Sequence, residues 1–172
     1  MPALRRRGGL MRGQGIRLAG LAAALVVAVL DQLSKVWILD LMAQQVPPVI
    51  RVTGFFNLVQ VWNTGVSFGL FQHDSEMRSL LLIGVAAAVM VWLLVWLWRG
   101  TSRLAGLALG IIIGGALGNI IDRWRHGAVY DFLDLHAFGW HWPAFNLADS
   151  AIVIGVGLLL LDGFRPASRA GG

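Results

Sequence analysis

Four long apolar stretches, separated by shorter polar segments, set the pattern of this chain. They cover residues 16–39, 80–98, 104–121 and 145–161. A helix needs about 20 mostly apolar residues to cross the hydrocarbon core of a bilayer, and the last two stretches fall only slightly short of that length. The pattern predicts an all-α membrane protein with four transmembrane helices, forming a single domain over residues 1–172.

The connection between the first two stretches is long enough to hold structure of its own. Residues 49–52 and 55–62 are rich in β-branched and aromatic side chains, and Thr53 and Gly54 lie between them. This alternation of strand-forming runs and a turn is typical of a β-hairpin. We therefore expect a short β-hairpin or small sheet on the membrane surface between helices 1 and 2.

Basic residues indicate how the four spans are oriented. An arginine-rich segment precedes the first span, Arg99 and Arg103 lie in the short turn between the second and third, and two more arginines follow the fourth. With an even number of spans these clusters share one side, which the positive-inside rule identifies as cytoplasmic. Both termini are then predicted to be cytoplasmic, and residues 40–79 and 122–144 to be extracytoplasmic.

Composition agrees with a bilayer environment and argues against several other classes of protein. Apolar residues make up 57% of the chain and charged residues only 13%, whereas about a quarter of a soluble domain is charged. The mean hydropathy is +0.70. The net charge of +5 flanks the spans instead of covering a soluble face, so no nucleic-acid partner is expected. The absence of cysteine excludes disulfides and thiolate nucleophiles.

Polar residues inside or beside the spans are the first functional candidates, because ionisable groups are costly in hydrocarbon. At about 1.5 Å of rise per residue, five of them, from three different spans, fall at similar depth near the outer edge of the membrane: Asp31, Lys35, Asn119, Asp122 and Asp149. Each alone has a structural explanation, such as an i,i+4 ion pair between Asp31 and Lys35. Asn119 could make a helix-packing hydrogen bond. The coincidence at one depth favours a functional site.

The residue types narrow the chemistry of this site. Ser34 and Lys35 are adjacent on a helix and point in different directions, which argues against a Ser–Lys dyad, and the four histidines show no paired ligand spacing for a metal. Two carboxylates held close together share a proton, so one can activate water while the other polarises a carbonyl. Spacing alone does not choose among the nearby candidates: Asp122, Asp131, Asp134 and Asp149.

Five short blocks between residues 31 and 150 carry a family resemblance. They lie at residues 31–35 (DQLSK), 63–69 (NTGVSFG), 114–123 (GGALGNIIDR), 129–132 (VYDF) and 145–150 (FNLADS). In this order they closely resemble the bacterial lipoprotein signal peptidases, also called signal peptidase II, which are membrane aspartic peptidases with four spans. Any one block is weakly specific, but five in the family's order are highly specific.

The resemblance implies a role for each matching residue. Asp131 and Asp149 are the implied catalytic pair. Substrate-binding or orienting roles are implied for Asn63, Gly65, Asn119, Arg123 and Asn146. The resemblance implies structural roles, or support of the catalytic pair from outside the reacting groups, for Asp31, Lys35 and Asp122.

The same resemblance implies a substrate, an inhibitor and a location. The substrate is a prolipoprotein that carries diacylglycerol on its lipobox cysteine and is cut immediately before that cysteine. Membrane lipids are expected as partners and the cyclic lipopeptide globomycin as an inhibitor, without a metal or an organic cofactor. The implied location is the bacterial cytoplasmic (inner) membrane, with the active site at the outer, periplasmic side.

Two other classes of function fit the sequence less well. A small ion- or proton-coupled transporter would spread polar groups through the membrane depth and carry internal repeats, but here the polar residues cluster near one side and we find no convincing repeat. A non-enzymatic lipid-binding or assembly protein gives no reason for two carboxylates beside Asn119 and Arg123.

Overall fold

The computed structural model describes residues 2–65 and 75–164. Within these residues, four helices and four strands follow one another: α1 Pro2–Met42, β1 Val49–Thr53, β2 Phe56–Asn63, α2 Ser75–Arg99, α3 Arg103–His126, β3 Val129–Ala137, β4 Trp140–His141 and α4 Leu147–Gly163. Residues 66–69 of the second family-like block and the arginines that follow α4 lie outside the described residues.

A helix lies at each of the four predicted spans, and three of the helices are long and apolar enough to cross a membrane. These three segments are Gly13–Met42, Glu76–Arg99 and Arg103–His126. α1 begins well before the predicted residue 16, because the arginine-rich segment continues the same helix. α4 has 17 residues, about 26 Å at 1.5 Å per residue, which is slightly less than the hydrocarbon thickness. The chain is a multi-pass membrane protein.

The central helix, α3, packs against all three other helices. Glycines on one face of α3 let its backbone approach α1 closely. A Cβ atom at Gly110 would collide with the backbone of Gly20, and one at Gly114 would lie 2.5 Å from the carbonyl oxygen of Ala24. Small residues at such contacts are typical of helices that pack within a membrane.

The β-hairpin predicted between α1 and α2 is confirmed, but the sheet is larger than predicted. β1 pairs with β2, and β3 and β4 then extend the antiparallel sheet in the order β1-β2-β3-β4. The prediction confined the β element to the first connection, whereas half of its strands come from the second. Residues at the start of β3 are buried without alternation, so this strand lacks the period-two signal of a half-buried strand.

Two apolar clusters hold the molecule together. One lies between the helices and includes Ala24, Leu93 and Leu109. The other joins the sheet to the C-terminal end of α1, through Ile38, Met42, Tyr130 and Phe132. Because Asp131 lies between Tyr130 and Phe132, this second cluster fixes the segment of β3 that carries Asp131.

Large apolar side chains cover the outward faces of the helices. Leu25 and Leu33 on α1 are 65% and 61% exposed, and Val153 on α4 is 71% exposed. Exposed apolar side chains on this scale are unfavourable in water, and they fit helices that face lipid.

Candidate active site

Asp131 is a buried carboxylate on β3 with a hydrogen bond to each of its oxygens. The residue is 1% exposed. The Nδ2 atom of Asn146 donates to Oδ1 at 2.7 Å, and the Nδ2 atom of Asn63 donates to Oδ2 at 2.9 Å. The carboxylate is therefore held from two sides, by the end of β2 and by the residue that precedes α4.

Asp149 lies in the first turn of α4 and is only partly buried. Asn146 caps this helix: its Oδ1 accepts from the Asp149 amide at 3.0 Å, and Oδ2 of Asp149 accepts from the Asn146 amide at 3.2 Å. The other oxygen, Oδ1, accepts from Nδ2 of Asn119 on α3 at 2.8 Å. Asp149 thus stabilises the helix start, as expected for a carboxylate there, and is also tied to a buried amide.

Asn146 connects the two aspartates. Its side chain donates to Asp131 and its backbone amide donates to Asp149. The same side-chain Nδ2 also lies 3.2 Å from Oδ1 of Asn119. The structure therefore brings Asp131 and Asp149 into one hydrogen-bond network, a pairing that spacing in the sequence could not select.

Gly65 orients Asn63 toward Asp131. The Gly65 amide donates to Oδ1 of Asn63 at 2.9 Å, which leaves Nδ2 of Asn63 to face the carboxylate. Gly65 has a φ of +73°, a left-handed conformation that glycine adopts without strain. A Cβ atom at this position would also collide with the side chain of Leu82.

A buried ionic cluster lies behind the two aspartates. The Nζ atom of Lys35 lies 2.8 Å from Oδ2 of Asp31 and 2.8 Å from Oδ2 of Asp122. It also donates to Oδ1 of Asn119 at 3.3 Å. The i,i+4 ion pair considered as a structural explanation does form within α1, and it extends to Asp122 on α3. All five polar residues that the sequence placed at one depth therefore belong to connected networks.

Gln32 also belongs to this cluster, although sequence reasoning did not single it out. Its Nε2 atom donates to Oδ1 of Asp122 at 2.9 Å and to Oδ2 of Asp31 at 3.2 Å. The signal available in the sequence was its position inside the DQLSK block, directly after Asp31.

Arg123 lies at the wall of a cavity of about 650 Å³ between the ends of β2, α2 and α3. The cavity is lined by polar groups, including Thr64 and Glu76, and by the apolar side chains of Leu80 and Ile83. The Nη1 atom of Arg123 donates to the Asn119 carbonyl at 3.4 Å. Its Nε atom is buried and has no hydrogen-bond partner among the described residues.

Burial makes Asp131 harder to ionise. Burial raises the pKa of Asp131 to about 6, and the charge of Asp149 adds to the effect, although hydrogen bonds from Asn63 and Asn146 oppose it. A carboxyl group with a pKa this close to neutrality can give and take a proton during a reaction.

The remaining candidate, Asp134, lies in a different environment. It accepts hydrogen bonds from Asn57 at 2.8 Å and from His141 at 2.8 Å. Burial works against ionisation of this carboxyl, but the bonds from His141 and Asn57 outweigh it and lower its pKa. His141 stacks on His136 with ring centroids 4.9 Å apart. In the described part of the chain, no three His, Asp or Glu side chains are grouped to hold a metal, and His73 lies outside that part.

Comparisons with known proteins agree on one family. A family model described as "Signal peptidase (SPase) II" matches residues 23–165. The lipoprotein signal peptidase of Methylorubrum extorquens (strain PA1) is 50% identical over 155 residues, which cover 88% of this chain and 89% of that protein. The lipoprotein signal peptidase of Nitrobacter hamburgensis is 45% identical over 158 residues, covering 88% and 96%.

Two solved structures of bacterial membrane enzymes share the fold. One superimposes with a TM-score of 0.71 at 27% identity and covers 89% of this chain. The other has a TM-score of 0.73 at 25% identity and covers 86% of this chain. Each match covers 94% of the solved chain.

Proposed function

Since the chain belongs to the signal peptidase II family and is a peptidase that removes signal peptides from prolipoproteins, we propose that Asp131 and Asp149 are its catalytic pair. The observation that carries this assignment is Asn146, which donates one hydrogen bond to each carboxylate. Asp122 is bound instead to Lys35 and Asp134 to His141, and neither shares this bridge.

In the proposed mechanism the pair holds one proton, and Asp131 carries it. Two adjacent carboxylates do not ionise together easily, and burial favours the neutral form of Asp131. The protonated Asp131 donates to the scissile carbonyl oxygen. Ionised Asp149, supported by Asn119, accepts a proton from the water that attacks the carbonyl carbon.

The tetrahedral intermediate then collapses with the proton transfers reversed. Asp149 gives its proton to the leaving amide nitrogen as the carbon–nitrogen bond breaks. Asp131 recovers a proton from the gem-diol, which becomes the new carboxylic acid. Water is the only co-reactant, both aspartates return to their starting states, and no metal or organic cofactor takes part.

The cavity beside Arg123 is the proposed position of the peptide next to the scissile bond. It combines apolar lining with the guanidinium group of Arg123, which suits a peptide carbonyl together with a lipid-modified cysteine. Arg123 also lies within electrostatic reach of Asp149 and Asp131. We propose a diacylglyceryl-modified prolipoprotein as the substrate, cleaved before the lipidated cysteine, and globomycin as a competitor for the same space.

For the arrangement in the membrane, we propose a single domain with four transmembrane helices and both termini cytoplasmic. The two ends of the helix bundle differ in charge, which supports this orientation. Arg17 donates to the carbonyl oxygen of Trp98 at 2.7 Å, beside Arg99 and Arg103, whereas the aspartates lie at the opposite end. Under the positive-inside rule the arginine end is cytoplasmic, so the active site lies at the periplasmic side of the inner membrane.

A cleavage assay tests the proposed substrate. Purified protein is mixed with a diacylglyceryl-modified precursor lipoprotein and, as the matched control, with the same precursor before lipidation. We expect a shift to the mature size for the lipidated precursor alone, blocked by globomycin and unaffected by EDTA. Equal cleavage of both precursors would contradict the assignment of the lipid as part of the substrate, and the absence of cleavage would contradict the proposed function.

A further inference from the structure

We propose that Lys35 is a positioning residue that holds the two catalytic aspartates in fixed relation to each other, through Asp31 on one side and Asp122 on the other. This inference rests on the dyad proposed above and adds how that dyad is held in place.

The two carboxylates that flank Lys35 bind two particular backbone amides. Oδ1 of Asp31 accepts from the amide of Ala148 at 2.9 Å. Oδ2 of Asp122 accepts from the amide of Tyr130 at 3.1 Å. Ala148 directly precedes Asp149, and Tyr130 directly precedes Asp131. Each buried carboxylate therefore fixes the residue immediately before one member of the dyad.

Lys35 joins these two contacts. A single ammonium group lies 2.8 Å from Asp31 and 2.8 Å from Asp122, so the peptides before Asp131 and Asp149 are tied to one point on α1. An ammonium group has three donors, and the third is directed to Oδ1 of Asn119 at 3.3 Å.

The contact with Asn119 extends the effect to a side chain of the dyad. Because Oδ1 of Asn119 faces the ammonium group, its Nδ2 is turned to Asp149, where it donates at 2.8 Å. Lys35 thus fixes the orientation of the amide that supports the Asp149 carboxylate. Each of the three groups that Lys35 contacts is hydrogen-bonded in turn to Asp149 or to the residue that precedes Asp131 or Asp149.

A purely structural role would be charge compensation, because Lys35, Asp31 and Asp122 are all buried. Buried ion pairs of that kind can often be replaced by well-packed neutral groups of similar volume without loss of stability. The fit around Asp31 points instead to a geometric requirement: a Cβ atom on Gly118 of α3 would collide with Oδ2 of Asp31. The absence of a side chain at Gly118 thus leaves room for the Asp31 carboxylate against the backbone of α3.

The charge of Lys35 also acts on Asp131, so the pH profile of kcat/KM depends on Lys35. Charge compensation within the buried cluster alone would not change that profile. Lys35 lowers the pKa of Asp131 against the effect of burial. The other charged groups that face Asp131 are Asp149 on α4 and Arg123 on α3. Without Lys35, the limb of the kcat/KM profile that reports Asp131 therefore shifts to higher pH.

The test uses a variant that leaves no buried carboxylate of the cluster without a counter-ion, so that the protein can still fold. Lys35→Met alone would leave two buried carboxylates without a counter-ion, so it is combined with Asp31→Asn and Asp122→Asn, which are neutral and keep an acceptor oxygen. Ser34→Ala is the matched control on α1, because the Ser34 hydroxyl donates only to the backbone oxygen of Asp31 among the described residues. kcat, KM and the thermal midpoint are measured for the triple variant and the control, and the pH profile is measured for Lys35→Met and the control.

We expect the triple variant to keep its thermal midpoint within a few degrees and to lose about 10²-fold in kcat because of misplaced groups. The upward shift of the pH profile is expected for Lys35→Met alone, because the triple variant also removes the negative charges of Asp31 and Asp122. KM and the control should stay near wild-type values. A triple variant with wild-type kcat, or Lys35→Met with a wild-type pH profile, would overturn the positioning role and leave Lys35 a charge-compensating residue. Failure of the wild-type protein to cleave a lipidated precursor would instead refute the proposed function itself.

Discussion

At the scale of single residues, Asn146 combines a structural and a chemical contact in one side chain. Its Oδ1 caps α4 by accepting from the Asp149 amide, while its Nδ2 donates to Asp131. The two contacts use different atoms of the same amide, so substitutions can separate them.

Asn146→Ser is expected to keep the helix cap and lose the donor to Asp131. Serine is a good N-cap residue, so the thermal midpoint should change little, whereas removal of a donor to a catalytic carboxylate should lower kcat by about 10²-fold. Asn146→Ala removes both contacts and should cost about 1 kcal/mol of stability in addition. Thermal unfolding and cleavage assays on the two variants provide the comparison. Near-normal cleavage by the serine variant would show that the Asp131 contact has no role in catalysis.

The raised pKa of Asp131 predicts a particular pH dependence of stability. The pKa is about 6 in the folded protein against an ordinary value of 3.8 for an aspartate, so the folded state binds more protons than the unfolded state between these values. Stability contributed by this group is therefore present at low pH and is lost as the pH rises to about 6. In detergent, the thermal midpoint of Asp131→Asn relative to that of the wild type should rise from pH 4 to 6. The difference between the two midpoints should then stay constant above pH 7. If the difference becomes smaller as the pH rises, burial does not raise the pKa of Asp131.

The sequence identified most residues of the site as candidates, but different signals identified different residues. Asp31, Lys35 and Asn119 stood out because polar groups inside an apolar span are costly. Asp131 had no such signal, since it lies outside the apolar stretches. Only the family-like blocks separated it from Asp134, which lies three residues later on the same strand. The Asn146 bridge that distinguishes Asp131 arises from tertiary contacts.

At the scale of elements, the contact between α1 and α3 depends on backbones that touch. Gly110→Ala should destabilise the protein by about 1–3 kcal/mol, because its Cβ would collide with Gly20. Gly157→Ala on α4 is the matched control, since a Cβ there meets no atom within 4 Å, and it should be neutral or slightly stabilising. Thermal midpoints and monodispersity in detergent report both variants. Equal behaviour of the two would argue against close packing of α1 and α3.

The helices were easier to predict than the sheet for a physical reason. Long apolar runs identify spans directly, although they did not reveal that α1 begins near residue 2. β1 and β2 were predicted from strand-forming residues around a turn. β3 packs between the first hairpin and α1, so its burial follows from the assembled fold and not from a local pattern. β4 has only two residues, too few for a periodic signal.

At the scale of the whole molecule, the two ends of the helix bundle are expected on opposite sides of the membrane. The chain has no cysteine, so a single introduced thiol is a unique probe. Gln44 follows the end of α1 that carries the site, and Phe164 follows the opposite end of α4; both are exposed. In intact spheroplasts, a membrane-impermeant maleimide should label Gln44→Cys but label Phe164→Cys only after lysis. The reverse pattern would place the active site on the cytoplasmic side.

The pairing of Asp131 with Asp149 is the central claim, and single-turnover cleavage of a diacylglyceryl-modified precursor tests it most directly. We predict that Asp131→Asn and Asp149→Asn each lower the rate by at least about 10³-fold, while both proteins remain folded and inserted in the membrane. Asp134→Asn, on the same strand but outside the Asn146 bridge, should cleave at nearly the wild-type rate. Near-normal cleavage by either dyad variant, or a complete loss confined to Asp122→Asn, would contradict the assignment.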